Sequence, residues 1–347
     1  MGQAVAKTSL KVGIVVGTYG SGQGSGGQAW LLVQGLRSRG HEVRVWSRTG
    51  PSDHRLPRRR ELLWRGREVL GNPEVDVLFT FERLPGADVA RLGGGVHGAW
   101  LDASPRWRDR WRWKRRDRFE ARLDRHVAHS AWQLVANAAR TLADARAFHD
   151  LPATRLSLIR NGVDLERFAP HGARRASLRA QRGVRGRVAL FLGHGGRRKG
   201  LAVALRAFRA AAAPGDRLWV AGRGLGRLPA WAESLGTVDP AEVLPAVDAL
   251  LHPTRYDPSA NAVLEALACG VPAITSGRDG ASELVGERLL RVQDPDDAGG
   301  FADALRYAWR AYTPERWREM ARPWPASRMV DTTERLLKVA SRRSFHG

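Results

Sequence analysis

The stretch from Leu250 to Ser276, LLHPTRYDPSANAVLEALACGVPAITS, leaves this chain few architectures to choose from. Leu250-Leu251-His252 is a short buried strand, and a Pro-bearing turn follows. A helix then starts near Ser259 or Asn261, Gly270 ends it, and a second strand opens at Ala273. A strand–helix–strand step of this length joins parallel neighbours in an open α/β sheet. Such sheets bind ligands beyond the carboxyl ends of their strands, where a helix N-terminus offers unpaired N–H groups to an anion. Asp257 lies in the turn and Glu265 in the helix, eight positions apart, with Asn261 between them at the helix start. One acid can face a ligand at the helix mouth while the other points into the cleft behind it. Taken alone, the stretch also fits an ordinary helix with a capping Asp.

Two more strand-to-turn steps repeat the pattern. Arg187 to Gly193 reads as a strand, followed by His194-Gly195-Gly196-Arg197-Arg198-Lys199-Gly200 and a helix. A glycine-rich turn with two guanidinium forks and an ammonium at a helix start is a clamp for adjacent phosphate charges. Its plain alternative is a basic surface turn. Near the other end, Lys11 to Gly17 is a strand, and Thr18 to Gln28 is a glycine-rich segment that lets backbone approach a phosphate. A helix from about Gln28 to Ser38 and a second strand beginning near Glu42 follow. The loop lacks the spacing and the downstream acid of a dinucleotide fingerprint, so a flexible turn is the competing reading.

Charge enters the argument at residues 106–125, where ten basic residues meet four acids. On a helix, Trp107, Trp111, Phe119 and Leu123 recur at multiples of four and form an apolar stripe in a basic surface. Rings at headgroup depth with guanidinium groups on lipid phosphates would make this an interfacial helix. Packing of the stripe on its own domain and nucleic-acid contact are the other readings, and no nucleic-acid module stands elsewhere in the chain. The whole chain of 347 residues carries a formal charge of +22, which suits a polyanionic partner. Its length suggests about two domains. The single cysteine excludes an intrachain disulfide and any multi-cysteine zinc site. The apolar run Val12 to Val16 is too short for a signal peptide or a membrane span, which gives the expectation of a cytosolic protein.

Asp257, seven residues, Glu265 and then Ala266-Leu267-Ala268-Cys269-Gly270-Val271-Pro272-Ala273-Ile274 resembles the signature of retaining GT-B glycosyltransferases of family 4. Asn161 to Ala169 is similar to the exit from that family's first domain. Leu92-Gly93-Gly94-Gly95-Val96-His97 resembles its bacterial lipopolysaccharide-core glucosyltransferases. The resemblance covers about residues 10–340 and implies two doubly wound, Rossmann-like α/β domains facing a cleft. It places an acceptor-side domain at 1–168, a nucleotide-sugar-binding domain at 169–322 and a helix at 323–347 crossing back to the first.

By the same resemblance, Arg198 and Lys199 hold the nucleotide diphosphate, Asp257 the donor sugar and Glu265 the ribose. Gly26 and Gly27 face the donor phosphate, and His97 stands near the acceptor. Arg197 and Asn261 join the substrate-binding set, with Trp107, Trp111 and Phe119 as the membrane contacts. Asp257 replaces the family's usual Glu, and Gly93 to Gly95 stand where relatives carry an Asp, so no carboxylate for a general base is expected there.

The implied reaction moves a hexose, glucose from UDP-glucose, to a membrane glycolipid such as the lipopolysaccharide core, with no metal or cofactor. The enzyme is expected on the inner face of the cytoplasmic membrane, with an anionic lipid surface as partner and no nucleic acid. A sugar-nucleotide epimerase on the same fold and a membrane-associated scaffold without turnover are the open alternatives.

Overall fold

The computed structural model describes residues 9–22, 24–58, 61–62, 65–71, 74–103 and 115–344. The chain divides into two compact units, residues 1–162 with 326–347, and residues 163–325. The sequence placed the first boundary near 168 and the second at 322; the divisions fall after Gly162 and after Pro325.

The first unit holds strands β1 (Lys11–Thr18), β2 (Glu42–Thr49), β3 (His54–Arg55), β4 (Val77–Thr80), β5 (Val89–Arg91), β6 (Gln133–Ala136) and β7 (Leu156–Leu158). Among the described residues they form one parallel sheet in the order β3-β2-β1-β4-β5-β6-β7. Its helices include α1 (Gly24–Ser38), α2 (His97–Ala103), α3 (Arg115–Ser130) and α4 (Ala139–His149). The central strands β1 and β4 are almost wholly apolar and buried, as parallel strands covered on both faces must be.

His126 to Ser130, a short text that alone fits a strand, is instead the end of α3, and the strand is Gln133–Ala136. The reason is visible in burial: Leu123, Asp124, Val127 and Ala128 are buried together at helical spacing, which the short His-Val-Ala-His-Ser text hides. The first helix also begins at Gly24 rather than Gln28, so Gly26 and Gly27 lie in its first turn.

In the second unit come α5 (Gly172–Gln181), β8 (Val188–Leu192), α6 (Gly196–Lys199), α7 (Leu201–Ala211), β9 (Arg217–Ala221) and β10 (Ala232–Gly236). They continue with α8 (Pro240–Val243), β11 (Ala249–His252), α9 (Asn261–Ala268), β12 (Ala273–Ser276), β13 (Arg291–Val292), α10 (Ala298–Arg310) and α11 (Pro314–Ala321). The sheet order is β10-β9-β8-β11-β12-β13, all parallel.

Helix α12 (Ala326–Ser344) belongs to the first unit, where Met329, Val330, Leu337 and Ala340 join its core. Gly35 of α1 lets it approach closely, since a Cβ there would lie 2.6 Å from Val330.

In both sheets the strand order reverses beside the first strand, between β1 and β4 and between β8 and β11. In a doubly wound sheet the connections leaving two such strands run to opposite faces, and the crevice between them is the usual ligand site.

Candidate active site

In the second unit the reversal brings the loop after β8 against the loop after β11. Arg255 N–H donates to the Arg198 carbonyl (2.9 Å), and the Thr254 hydroxyl donates to the same oxygen (3.2 Å). The Arg255 guanidinium donates to the Arg197 carbonyl at 3.0 Å. Gly200 makes the contact possible: its φ is +78°, and a Cβ there would lie 1.9 Å from the Pro253 carbonyl oxygen.

These ties set the Lys199 ammonium on the Asp257 carboxylate as an ion pair, with both side chains almost fully buried. Arg198 donates to the Tyr256 carbonyl at 3.4 Å, and Asp257 also accepts from Ser259 N–H at 3.2 Å. Burial pushes the Asp257 carboxyl up, but Lys199 and Arg198 more than offset it and hold it at about 2. Lys199 and Asp257 were assigned from the sequence to separate parts of a donor molecule; the structure makes each the partner of the other. Arg197 is exposed, and Asn261 is half-buried at the start of α9.

Glu265, one turn further along α9, is buried, and its carboxylate makes no hydrogen bond or ion pair among the described residues. Burial raises it to about 7, Arg167 and Asp239 being the charges that act on it. A carboxylate with unused acceptor capacity at a ligand edge suits a pair of donated hydroxyls.

The sequence reading missed two groups here. Asp279 is fully buried, with Oδ1 accepting from Ala260 N–H (3.1 Å) and Ala281 N–H (2.9 Å), and Oδ2 accepting from the Thr275 hydroxyl (2.8 Å). It thereby fastens the start of α9, and its backbone forms a bridge with Asp257. Burial and the neighbouring Asp257 charge push it up to about 7. His252, at the end of β11, is also fully buried, with both ring nitrogens lacking a well-formed hydrogen bond among the described residues. Burial, with Lys199 adding to it, lowers its pKa to about 3, so the ring is neutral. Neither showed in the sequence, where Gly-Arg-Asp-Gly reads as a turn and Leu-Leu-His as a strand end.

In the first unit, Gly26 is buried, and Gly27 packs so tightly that a Cβ would sit 2.1 Å from the Gly22 carbonyl oxygen. The glycine-rich loop is therefore folded onto the start of α1. His97 opens α2 rather than lying in a loop, and its backbone N–H donates to Asp124 Oδ2 at 2.5 Å. Its Nε2 is 3.4 Å from Asp117 Oδ1. Arg83 pairs with Asp124 and, at 3.2 Å, with Glu120. Burial, with Arg83 adding to it, lowers the His97 pKa. Gly93 to Gly95 do lack a carboxylate, but α3 brings three acids to this place from twenty or more positions downstream.

Trp107 and Trp111 lie outside the described residues. Phe119 is half-buried on α3, and Leu123 is buried beneath it. On the outer side Arg115, Arg118, Arg122 and Arg125, spaced three, four and three apart, are exposed and enter no ion pair among the described residues. No three His, Cys, Asp or Glu side chains among the described residues gather as a metal-ion set.

Two family descriptions match this chain, "Glycosyltransferase Family 4" over residues 23–167 and "Glycosyl transferases group 1" over residues 186–310. A probable transglycosylase of Burkholderia thailandensis is 30% identical over 251 residues, 71% of this chain and 67% of that protein. Alpha-maltose-1-phosphate synthase of Mycobacterium tuberculosis is 31% identical over 209 residues, and the match spans 51% of this chain and about half, 54%, of that relative's length.

Among solved structures, WaaG, a glycosyltransferase involved in lipopolysaccharide biosynthesis, superposes with a TM-score of 0.78 at 18% identity, covering 94% of this chain and 99% of its own. Anabaena HepE in complex with UDP and glucose gives 0.72 at 16% identity, covering 95% and 100%. With two parallel sheets of reversing strand order, a cation and acid pair at the reversal of the second, and these matches over both units, the chain belongs to the family 4 glycosyltransferases of GT-B fold.

Proposed function

We propose that this glycosyltransferase takes glucose from UDP-glucose and transfers it, with retention and without a metal, to a hydroxyl of a membrane glycolipid such as the lipopolysaccharide core. One observation carries the donor side: the buried Lys199–Asp257 pair with Arg198 beside it, at the strand-order reversal of the second unit. Breaking the bond from sugar to diphosphate leaves negative charge on the departing phosphate. Cations already fixed at that place stabilise it without reorganising in the transition state. Arg198 and Lys199 do this, aided by the helix N-terminus at the clamp turn. Asp257, released in part from Lys199 as the diphosphate arrives, takes a sugar hydroxyl. Glu265 takes the ribose hydroxyls, which supply the hydrogen bonds that its carboxylate lacks. HepE, similar in fold, binds UDP and glucose, which supports this choice of donor.

The lipid acceptor rests on α3. Four exposed guanidinium groups in one row, with no acid pairing them among the described residues, repel one another and are relieved by anionic phosphates. No helix among the described residues is long and apolar enough to cross a membrane, so contact through this face is peripheral. In this reading Trp107, Trp111 and Phe119 enter the headgroup region.

Measuring UDP release from candidate nucleotide sugars, with and without a lipopolysaccharide-core acceptor, tests the proposal. Release that depends on both substrates is the expected result. Conversion of the nucleotide sugar to its epimer, with no transfer, overturns it.

A further inference from the structure

Arg91 ends β5, and its guanidinium is buried, with 4% of the residue exposed. Its Nη2 donates to the Ile159 carbonyl (3.1 Å) and to Asn161 Oδ1 (2.8 Å), and the Phe81 ring lies 5.7 Å away. All of these partners are neutral. No carboxylate among the described residues pairs with it, and burial alone lowers its pKa, to about 10. A buried cation without a counter-ion is a standing cost, and two amide-type oxygens offset only part of it. Two other charges follow the ordinary rule: buried Asp248 has Arg175 and Arg179 on it, and Arg83 has Asp124 and Glu120.

Beside Arg91 a second group is unsatisfied. Asn137 directly follows β6, the strand between β5 and β7, so it stands between the ends that carry Arg91 and Asn161. It is 2% exposed, and its Oδ1 has no hydrogen-bond partner among the described residues. An uncompensated guanidinium calls for an anion, and an orphaned amide oxygen calls for a donated hydroxyl. Both lie at the carboxyl ends of neighbouring parallel strands, where this architecture binds ligands.

We propose that the carboxyl ends of β5, β6 and β7 recognise a sugar bearing an oxyanion, with Arg91 reading the charge and Asn137 a hydroxyl beside it. The acceptor is then an anionic sugar, either a sugar phosphate or a sugar with a free carboxylate. This assignment rests on the transferase reading above, in which the first unit takes the acceptor.

Calorimetry on the full chain tests it, with saturating UDP filling the donor site and with glucose 6-phosphate, glucuronate and glucose as probes. The wild type should bind at least one of the two anionic sugars ten times more tightly than glucose, about 1.4 kcal/mol. Which of the two wins tells phosphate from carboxylate. Arg91→Gln should erase the preference while UDP affinity stays as it was. Equal binding of all three sugars by the wild type, or a preference that survives Arg91→Gln, overturns the proposal. Should Arg91→Gln not fold, Asn137→Ala serves: it removes no existing hydrogen bond of Oδ1, so its urea midpoint should hold while affinity for the preferred anionic sugar falls about fivefold. An unchanged affinity in that variant also overturns the proposal. Failure of UDP to bind counts against the donor assignment alone, and the sugar titrations are then run in a Lys199→Met background that empties the clamp of its ammonium.

Discussion

Lys199→Met separates the two things that this lysine does. In the wild type the ammonium compensates Asp257, whose carboxyl stands at about 2 against an ordinary 3.8. That difference is worth about 2 kcal/mol of folding stability. The contribution is fully present above the unfolded-state value near 4 and is lost as pH falls through about 2, because the depressed group must then take up a proton. Removing the ammonium reverses the balance. Burial, the largest influence on Asp257, then dominates and raises its pKa above the ordinary value. At pH 8 an ionised Asp257 with its partner gone should cost about 3 kcal/mol or more.

At pH 5 the same carboxyl can protonate, so the deficit against wild type should shrink. Urea unfolding midpoints of both proteins at pH 5 and pH 8 measure this directly. The double variant Lys199→Met with Asp257→Asn should recover most of the stability while leaving nucleoside-diphosphate binding at least tenfold weak. A deficit independent of pH, or a double variant no more stable than the single one, would refute the claim that these two groups neutralise each other.

Glu265→Gln should stabilise the protein at pH 8.5 by up to about 3 kcal/mol and leave it nearly unchanged below pH 4.5, since burial holds the native carboxyl at about 7 against an ordinary 4.5 and ionisation strains the fold above that. The same variant should bind UDP more weakly, and equal stability differences at both pH values would sink the reasoning. Asp257→Asn should spare or tighten UDP binding, because it frees Lys199, yet lower turnover of the full nucleotide sugar; calorimetry beside a UDP-release assay reads both. Gly200→Ala should cost about 2 kcal/mol or more, from its positive φ and the contact with the Pro253 carbonyl, and a midpoint matching wild type would show the two loops to be independent. Replacing Trp107 and Trp111 by Ser should release the protein from anionic vesicles at low salt without changing UDP affinity; wild type that ignores such vesicles removes the lipid reading.

The sequence disclosed whatever was local. Strand, turn and helix around Asp257 and Glu265 follow from a run of apolar residues, two prolines and a glycine, and the basic turn at 197 to 199 declares its charge. What escaped was pairing across distance. Lys199 and Asp257 are 58 positions apart, and only the strand-order reversal makes them neighbours. Asp279 looked like a turn residue because its partners, Ala260 and Thr275, are defined by the register of β11 and β12. The acids around His97 were missed for a similar reason. They sit on the inner side of a helix whose outer side is so rich in arginine that the segment reads as a surface.

The return of α12 to the first unit sets an order of assembly. Residues 163–325 form an uninterrupted insert, so they can collapse as soon as they leave the ribosome, whereas β1 and α1 wait for Met329, Val330 and Leu337 to complete their core. At roughly 5 to 20 residues per second, that leaves the earliest-made sheet without its final cover for on the order of ten seconds or more. A half-clothed apolar surface of that kind is where chaperones bind during synthesis. The second unit, by contrast, should be obtainable alone as a folded fragment, ready for nucleotide titration without its companion.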